Sequence, residues 1–356
     1  MEGKKIGILT FHRANNYGAV LQCYALQEAL RSIGHSVEII DYRQPFIENA
    51  YKPFYSKEII KTLKNPRWYF GFLFKVLPTK ILKSIKYNQF RQKYLILKNA
   101  TNENKNITVD YDVIVIGSDQ VWGIHCTNGI DEMFFGNFQH KRSKVIGYGI
   151  SGNIQSLKEI GNELLKHYCQ NFNKISFREE SFQSYIEENI GVKGELVLDP
   201  TLLLDKNEWK KLAIGTTEKK DYILTYILQE GKNFSILDDC LHHFAKKENC
   251  KLINIFDVAY SPAEFLSWIR DAKYIITTSF HATAFSIIFE KQFYALKTNN
   301  GHDARYINLL NKLNLSNKAI ELEELQGIEV IPTDYNKIKD ILTDLRTNSW
   351  KYLKNI

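Results

Sequence analysis

Between residues 273 and 296 the chain reads KYIITTSFHATAFSIIFEKQFYAL, and this stretch leaves little choice of fold. Tyr274 to Thr277 is a β-branched and aromatic run with the composition of a strand buried on both faces. Residues 282–289 form a helix with apolar side chains on most sides, and residues 293–296 return as a second strand. A strand, a short helix and another strand in so few residues can only come back parallel, which is the repeating unit of an open α/β sheet. His281 then falls at the strand-to-helix junction, on the carboxyl edge where such sheets bind ligands. A helix starting there aims N–H groups and a partial positive charge at whatever binds. The geometry suits a phosphate or carboxylate beside an imidazole. Ser279 as an ordinary N-cap and His281 as a packed histidine fit the same residues, and position alone leaves both readings open.

The same alternation runs through the rest of the chain. Strands are expected at 6–10, 37–41, 111–117, 144–149, 174–177 and 195–199, with helices at 19–32, 156–169 and 179–188 between them. A polar stretch around 206–220, containing Gly-Thr-Thr-Glu-Lys-Lys, reads as a linker. A second alternation begins at Tyr222, continues through 252–256 and 262–271, and ends in helices at 305–313 and 335–353. The expectation is an α/β chain of two Rossmann-like domains facing a cleft, 1–205 and 221–334, joined by 206–220 and closed by a helix at 335–356. At 356 residues, two domains of ordinary size are affordable.

The net charge of +7 is concentrated in one block. Between Lys52 and Lys98 there are twelve Lys or Arg and one acid, Glu58, so the remainder of the chain is net negative. This block, inserted at about 45–100, interleaves its cations with Tyr51, Phe54, Tyr55, Trp68, Tyr69, Phe70, Phe72 and Phe74. That mixture is what contact with an anionic membrane surface requires. A solvated helical insertion whose aromatics are core is the competing reading. No nucleic-acid-binding signature accompanies the charge, so no nucleic acid partner is expected. Five scattered cysteines without a C-x-x-C pair suggest neither a disulfide framework nor a zinc site. With no apolar leader and no run of membrane-spanning length, a cytoplasmic protein is expected, peripheral at most on the inner face of the plasma membrane.

Several loops carry chemistry. After the first strand, Asn15, Asn16, Tyr17 and Gly18 open a helix without a G-x-G-x-x-G or phosphate-loop pattern. Their amides and phenol suit sugar hydroxyls, although an Asn-rich turn looks the same. In Gly-Ser-Asp-Gln-Val-Trp, after the strand 111–117, Asp119 and Gln120 could take hydrogen bonds from a hydroxyl nucleophile, and Trp122 could stack on a sugar face. An N-capping Asp and a packing Trp are the alternative. Arg178 stands where a strand ends and a helix begins, against the helix dipole, so a guanidinium aimed at an anion is the better explanation. Arg305, after Gly301-His302-Asp303, is a second cation behind a strand.

Taken in order, GILTFHxxxNYGAxLQxYALQ, VIGSDQVW, SFREES, DPTLL and TSFHATAFS resemble the polysaccharide pyruvyl transferase family, over about residues 5–315. The resemblance implies two Rossmann-like domains similar to type B glycosyltransferases. It also implies transfer of pyruvate from phosphoenolpyruvate onto two hydroxyls of one sugar as a cyclic ketal, on surface polysaccharides or their lipid-linked precursors. It places the catalytic histidine at His281 and an anion-binding arginine at Arg178. Many members carry an Arg two residues before the histidine; this chain has Ser279 there, so Arg305 or a lysine must supply the second cation.

The chemistry is consistent with these residues. Protonating the methylene carbon of phosphoenolpyruvate makes the adjacent carbon electrophilic; one hydroxyl attacks, phosphate leaves and the second hydroxyl closes the ring. Histidine is the natural general acid near neutrality. On this expectation His281 and Asp119 are catalytic. Arg178, Ser279, Phe280 and Arg305 hold the donor, and Asn15, Asn16, Tyr17, Gly18, Gln120 and Trp122 face an acceptor sugar linked to undecaprenyl diphosphate. Phosphoenolpyruvate is a co-substrate, and no cofactor or metal is expected. A nucleotide-sugar-dependent glycosyltransferase of the same architecture and a non-catalytic subunit of an envelope assembly complex remain as alternatives.

Overall fold

The computed structural model describes residues 3–53, 71–101, 105–215, 218, 220–228, 234–256, 258–298 and 303–356. The chain divides into two compact units, Met1–Leu203 with Arg346–Ile356, and Leu204–Leu345. Each is built on one parallel sheet.

In the first unit the strands are β1 (Lys5–Leu9), β2 (Ser36–Ile40), β3 (Leu97–Lys98), β4 (Val113–Asp119), β5 (Lys144–Ile150), β6 (Lys174–Phe177) and β7 (Glu195–Leu196). They lie in the order β3-β2-β1-β4-β5-β6-β7, every pair parallel. Because side chains alternate across a strand, β4 feeds two cores. Val113 and Val115 join Ile6, Ile8 and Leu26 on one face, whereas Ile114 and Ile116 join Leu9, Phe134 and Phe177 on the other. This is why the strand reads as a continuous apolar run in sequence. Helices cover both faces: α1 (Tyr17–Ser32), α2 (Pro45–Ala50), α3 (Leu77–Tyr94), α4 (Ile154–Ile160), α5 (Asn162–Cys169) and α6 (Glu180–Ile190). Gly161 at φ +85 separates α4 from α5, which the sequence presents as a single helical run.

The second unit opens with α7 (Lys206–Leu212), inside the stretch expected to be a linker. Asp205 caps it, its carboxylate accepting from the Glu208 backbone while the Glu208 side chain accepts from Asp205 N (2.6 Å). This capping box makes a charged segment helical, and Trp209 and Leu212 bury its inner face. Four longer helices follow among the described residues: α8 (Phe234–Lys247), α9 (Pro262–Asp271), α10 (Phe280–Ile288) and α11 (Ala304–Lys312). The strands β8 (Tyr222–Tyr226), β9 (Lys251–Asn254), β10 (Tyr274–Thr277), β11 (Gln292–Leu296) and β12 (Ala319–Ile320) lie in the order β12-β11-β10-β8-β9, again all parallel. The closing helix α12 (Tyr335–Lys354) gives its last turns to the first unit, where Tyr352 Oη donates to the Gly147 carbonyl (2.8 Å).

Both sheets have a point where successive strands switch from one side to the other. It lies between β1 and β4 in the first unit and between β8 and β10 in the second. At such a point in an α/β sheet the loops leaving neighbouring strands diverge, and ligands bind at the carboxyl edge there. The part of the basic block at residues 54–70, including Phe54, Tyr55, Trp68, Tyr69 and Phe70, lies outside the described residues. Among the described residues no helix is long and apolar enough to cross a membrane.

Candidate active site

At the switch point of the first unit, the loops after β1 and β4 are tied together. Thr10 Oγ1 donates to the Ser118 carbonyl (2.9 Å), and Gln22 Nε2 donates to Thr10 Oγ1 (2.9 Å). His12 is fully buried between the Thr10 carbonyl (3.1 Å) and Asp41 Oδ1 (3.0 Å), and Arg13 grips both oxygens of Asp41. Burial lowers the His12 pKa below 6.5 against the upward pull of Asp41. Burial pushes the Asp41 carboxyl up, but hydrogen bonds from His12 and Arg13 outweigh it and hold the group below the usual carboxylate range.

This scaffold corrects part of the expected acceptor set. Asn16 is the N-cap of α1, its Oδ1 accepting from Ala19 N (3.2 Å). Tyr17 is 1% exposed, with its ring 5.6 Å from that of Tyr87, and Gly18 is buried in the first turn of the helix. Asn15 is also buried, its Oδ1 accepting from Arg91 Nη2 (2.9 Å). Trp122 is 0% exposed, donates from Nε1 to the Phe134 carbonyl (3.0 Å) and stacks on Phe135 at 5.1 Å. It is a core residue and offers no face to a sugar.

Asp119 occupies a different situation. It ends β4 at φ +80, a left-handed conformation that costs a non-glycine residue energy and that clusters at functional sites. The preceding Gly117 is at φ +111, and a Cβ there would stand 2.3 Å from the Tyr148 carbonyl oxygen, so only glycine fits. Asp119 Oδ1 accepts from Gln120 N (2.9 Å), and Gln120 is half-buried beside Cys126.

Arg178 stands among carboxylates. Its guanidinium is 3% exposed; Nε donates to Glu179 Oε1 (2.8 Å), Nη1 to Asp199 Oδ2 (2.6 Å) and Nη2 to Ser151 Oγ (3.1 Å). Burial opposes its charge, but the carboxylates of Glu179, Asp199 and Asp119 outweigh that and raise its pKa. One cation among three carboxylates is a poor seat for a doubly charged anion. Arg178 pairs with a carboxylate cluster along the ends of β4, β6 and β7. Glu179, which sequence reasoning passed over, is buried, and its Oε2 has no hydrogen-bond partner among the described residues. The E-E of SFREES was the only available signal.

The second unit presents a different edge. Thr277 Oγ1 donates to the Tyr226 carbonyl (2.6 Å) and accepts from Ser279 N (3.0 Å), and Leu228 N donates to Thr278 Oγ1 (2.9 Å). These bonds hold the turn between β10 and α10. Ser279 caps α10, its Oγ accepting from Ala282 N at 3.4 Å. Phe280 and His281 follow in the first turn at 6% and 8% exposure, their rings edge-to-face at 5.0 Å. His281 thus sits at the switch point, on a helix N-terminus. Adjacent and parallel to β10, β11 delivers two cations to the same edge. Lys297 directly follows the strand and pairs with Glu321 (3.3 Å), and half-buried Arg305 lies in the first turn of α11. Asp303 is committed to Thr298, accepting from its N and Oγ1 (both 2.7 Å).

An α/β chain of two parallel sheets, with an imidazole at one switch point and a strained carboxylate at the other, has the equipment of a group-transfer enzyme. The sequence model of the polysaccharide pyruvyl transferase family matches residues 16–300, and the chain belongs to that family. A comparison with curated proteins found no match. Among solved structures, UGT89C1 of Arabidopsis thaliana complexed with UDP-L-rhamnose shares 8% identity at a TM-score of 0.49, over 99% of this chain and 98% of that one. UDP-GlcNAc 2-epimerase of Methanocaldococcus jannaschii shares 13% at 0.44 over 96% and 99%. The UDP-N-acetylglucosamine 2-epimerase of Rickettsia bellii shares 10% at 0.43 over 100% and 98%. Likeness at this level assigns neither activity nor substrate.

Proposed function

We propose that the protein transfers pyruvate from phosphoenolpyruvate to two hydroxyls of one sugar, forming a cyclic ketal on a surface polysaccharide or its undecaprenyl-diphosphate-linked precursor. The observation that carries the reading is the placement of His281: a histidine in the first turn of a helix, at the switch point of its sheet.

In this proposal His281 gives its proton to the methylene carbon of the donor. Positive charge develops on the neighbouring carbon, a sugar hydroxyl adds there, phosphate departs, and the second hydroxyl closes the ring. The N-terminus of α10 and the cations Arg305 and Lys297 face the donor's phosphate and carboxylate, and they replace the arginine that Ser279 displaces. Asp119 accepts the proton of the attacking hydroxyl. Ordering two hydroxyls against one electrophile is largely a matter of orientation, which a rigid loop supplies better than a mobile one. The network of Thr10, His12, Asp41 and Ser118 provides that rigidity around Asp119.

The test is incubation of the full chain with phosphoenolpyruvate and a panel of lipid-linked sugars. The expected result is phosphate release together with an acceptor mass gain of one pyruvate less one water. Consumption of a nucleotide sugar with no use of phosphoenolpyruvate would replace this reading by the glycosyltransferase one.

A further inference from the structure

The helix α3 has two apolar faces, one buried and one exposed. Its inner face carries Leu77, Tyr87, Phe90 and Arg91, all buried. Roughly opposite, counting at helical periodicity, run Phe74 of the preceding turn and then Pro78, Ile81, Leu82 and Ile85. Phe74 is 74% exposed, Ile81 37%, and Leu82 and Ile85 47% each. Large aliphatic side chains held in water on one helical stripe mark an interaction surface. Lys75, Lys86 and Lys93 border the stripe, and residues 71–98 contain no Asp or Glu. An apolar stripe edged by lysines on a helix too polar to span a bilayer is the pattern of a segment lying in the plane of an anionic membrane.

The inner face connects this helix to the β1–α1 loop. Arg91 donates to Asn15 Oδ1 and, at 3.4 Å, to the His12 carbonyl; Lys83 Nζ lies 5.5 Å from the centre of the Tyr17 ring. We propose that α3 docks the protein on an anionic phospholipid surface through Ile81, Leu82 and Ile85 with their lysine border, and so holds the β1–α1 loop at the bilayer. A second copy of this chain pairing through the same face would lack the charge complementarity, since lysines edge the stripe on both copies. The inference rests on α3 alone and stands whether or not phosphoenolpyruvate is the donor.

The test is co-sedimentation of the full chain with phosphatidylcholine vesicles, with and without phosphatidylglycerol. The expected outcome is pelleting with phosphatidylglycerol only, reversed by salt because the attraction is screened. I81S/L82S/I85S should remain in the supernatant. K75Q/K86Q/K93Q should bind more weakly by on the order of a hundredfold, about fivefold per lysine. The substituted positions are at the surface, so both variants should melt with the wild type. If either melts early, the salt-reversible lipid preference of the wild type decides. Equal binding to both vesicles, no binding to either, or unchanged binding by the serine variant would overturn the proposal. So would a dimer in light scattering that the serine variant abolishes without any lipid binding, which would assign the face to self-association.

Discussion

The carboxyl edges of the two sheets share a geometry but differ in charge. In the first unit, Asp119, Glu179 and Asp199 surround the single guanidinium of Arg178. In the second, His281 and Lys297 follow β10 and β11, Lys297 paired with Glu321, and Arg305 lies in the first turn of α11, with the N-terminus of α10 at the same edge. An edge rich in carboxylates accepts hydrogen bonds from hydroxyls and repels phosphate, whereas an edge of cations and helix N–H groups does the opposite. A Rossmann-like unit therefore does not by itself say which ligand it takes. The side chains that the loops carry past the strand ends decide it.

The sharpest way to break this contrast is at His281. Replacing it with Ala is expected to lower turnover by about 10²–10⁴-fold, the usual range for a lost general acid, with the melting temperature nearly unchanged. Phosphate release read against thermal unfolding checks both halves; a fully active H281A would remove the imidazole from the reaction.

Arg178 should fail in another manner. R178A leaves two buried carboxylates without their cation and is expected to cost about 3–5 kcal/mol of stability, measured by denaturant unfolding. A variant of normal stability whose KM for phosphoenolpyruvate rose steeply would return Arg178 to the role of donor clamp and erase the difference between the edges.

Smaller effects sharpen the comparison. On the proposed reading R305A and K297A each remove one charged contact to the donor, and are expected to raise its KM about 10–100-fold while leaving the acceptor KM alone. S279A removes the cap of α10 and should cost about 1 kcal/mol. The pH response separates the units further. His12 is held neutral by burial, so its contribution to stability is present above its unfolded pKa near 6.5 and is lost as the pH falls below it. Asp41, held charged, adds a loss in the same direction at lower pH. Stability should therefore decline from about pH 7 to pH 5 in the wild type and less so in H12Q.

Much of this was legible in the residues. The buried strands announced themselves as β-branched runs, because a strand covered on both faces has no polar alternation to confuse it. The position of His281 followed from the strand-to-helix boundary alone. What escaped is what depends on partners distant in sequence. Arg178 looked like an available cation because Asp199, 21 residues on, could not be seen to reach it. Trp122 looked like a platform because nothing local reveals the ring of Phe135 against it. Asn16 was read as a ligand although its side chain serves α1, a use that any Asn before a helix can have. The stretch 206–212 was mistaken for linker because its charges hid a capping box. The two-residue strands β3 and β12 carry too few residues to show any period.

The division of labour between the two edges can be measured directly by titrating phosphoenolpyruvate, without acceptor, into the wild type and into R305A, K297A, D119N and E179Q, following heat on binding. The account predicts that the first two variants weaken binding and the last two leave it intact. Donor affinity that collapses in D119N or E179Q while surviving in both R305A and K297A would contradict it.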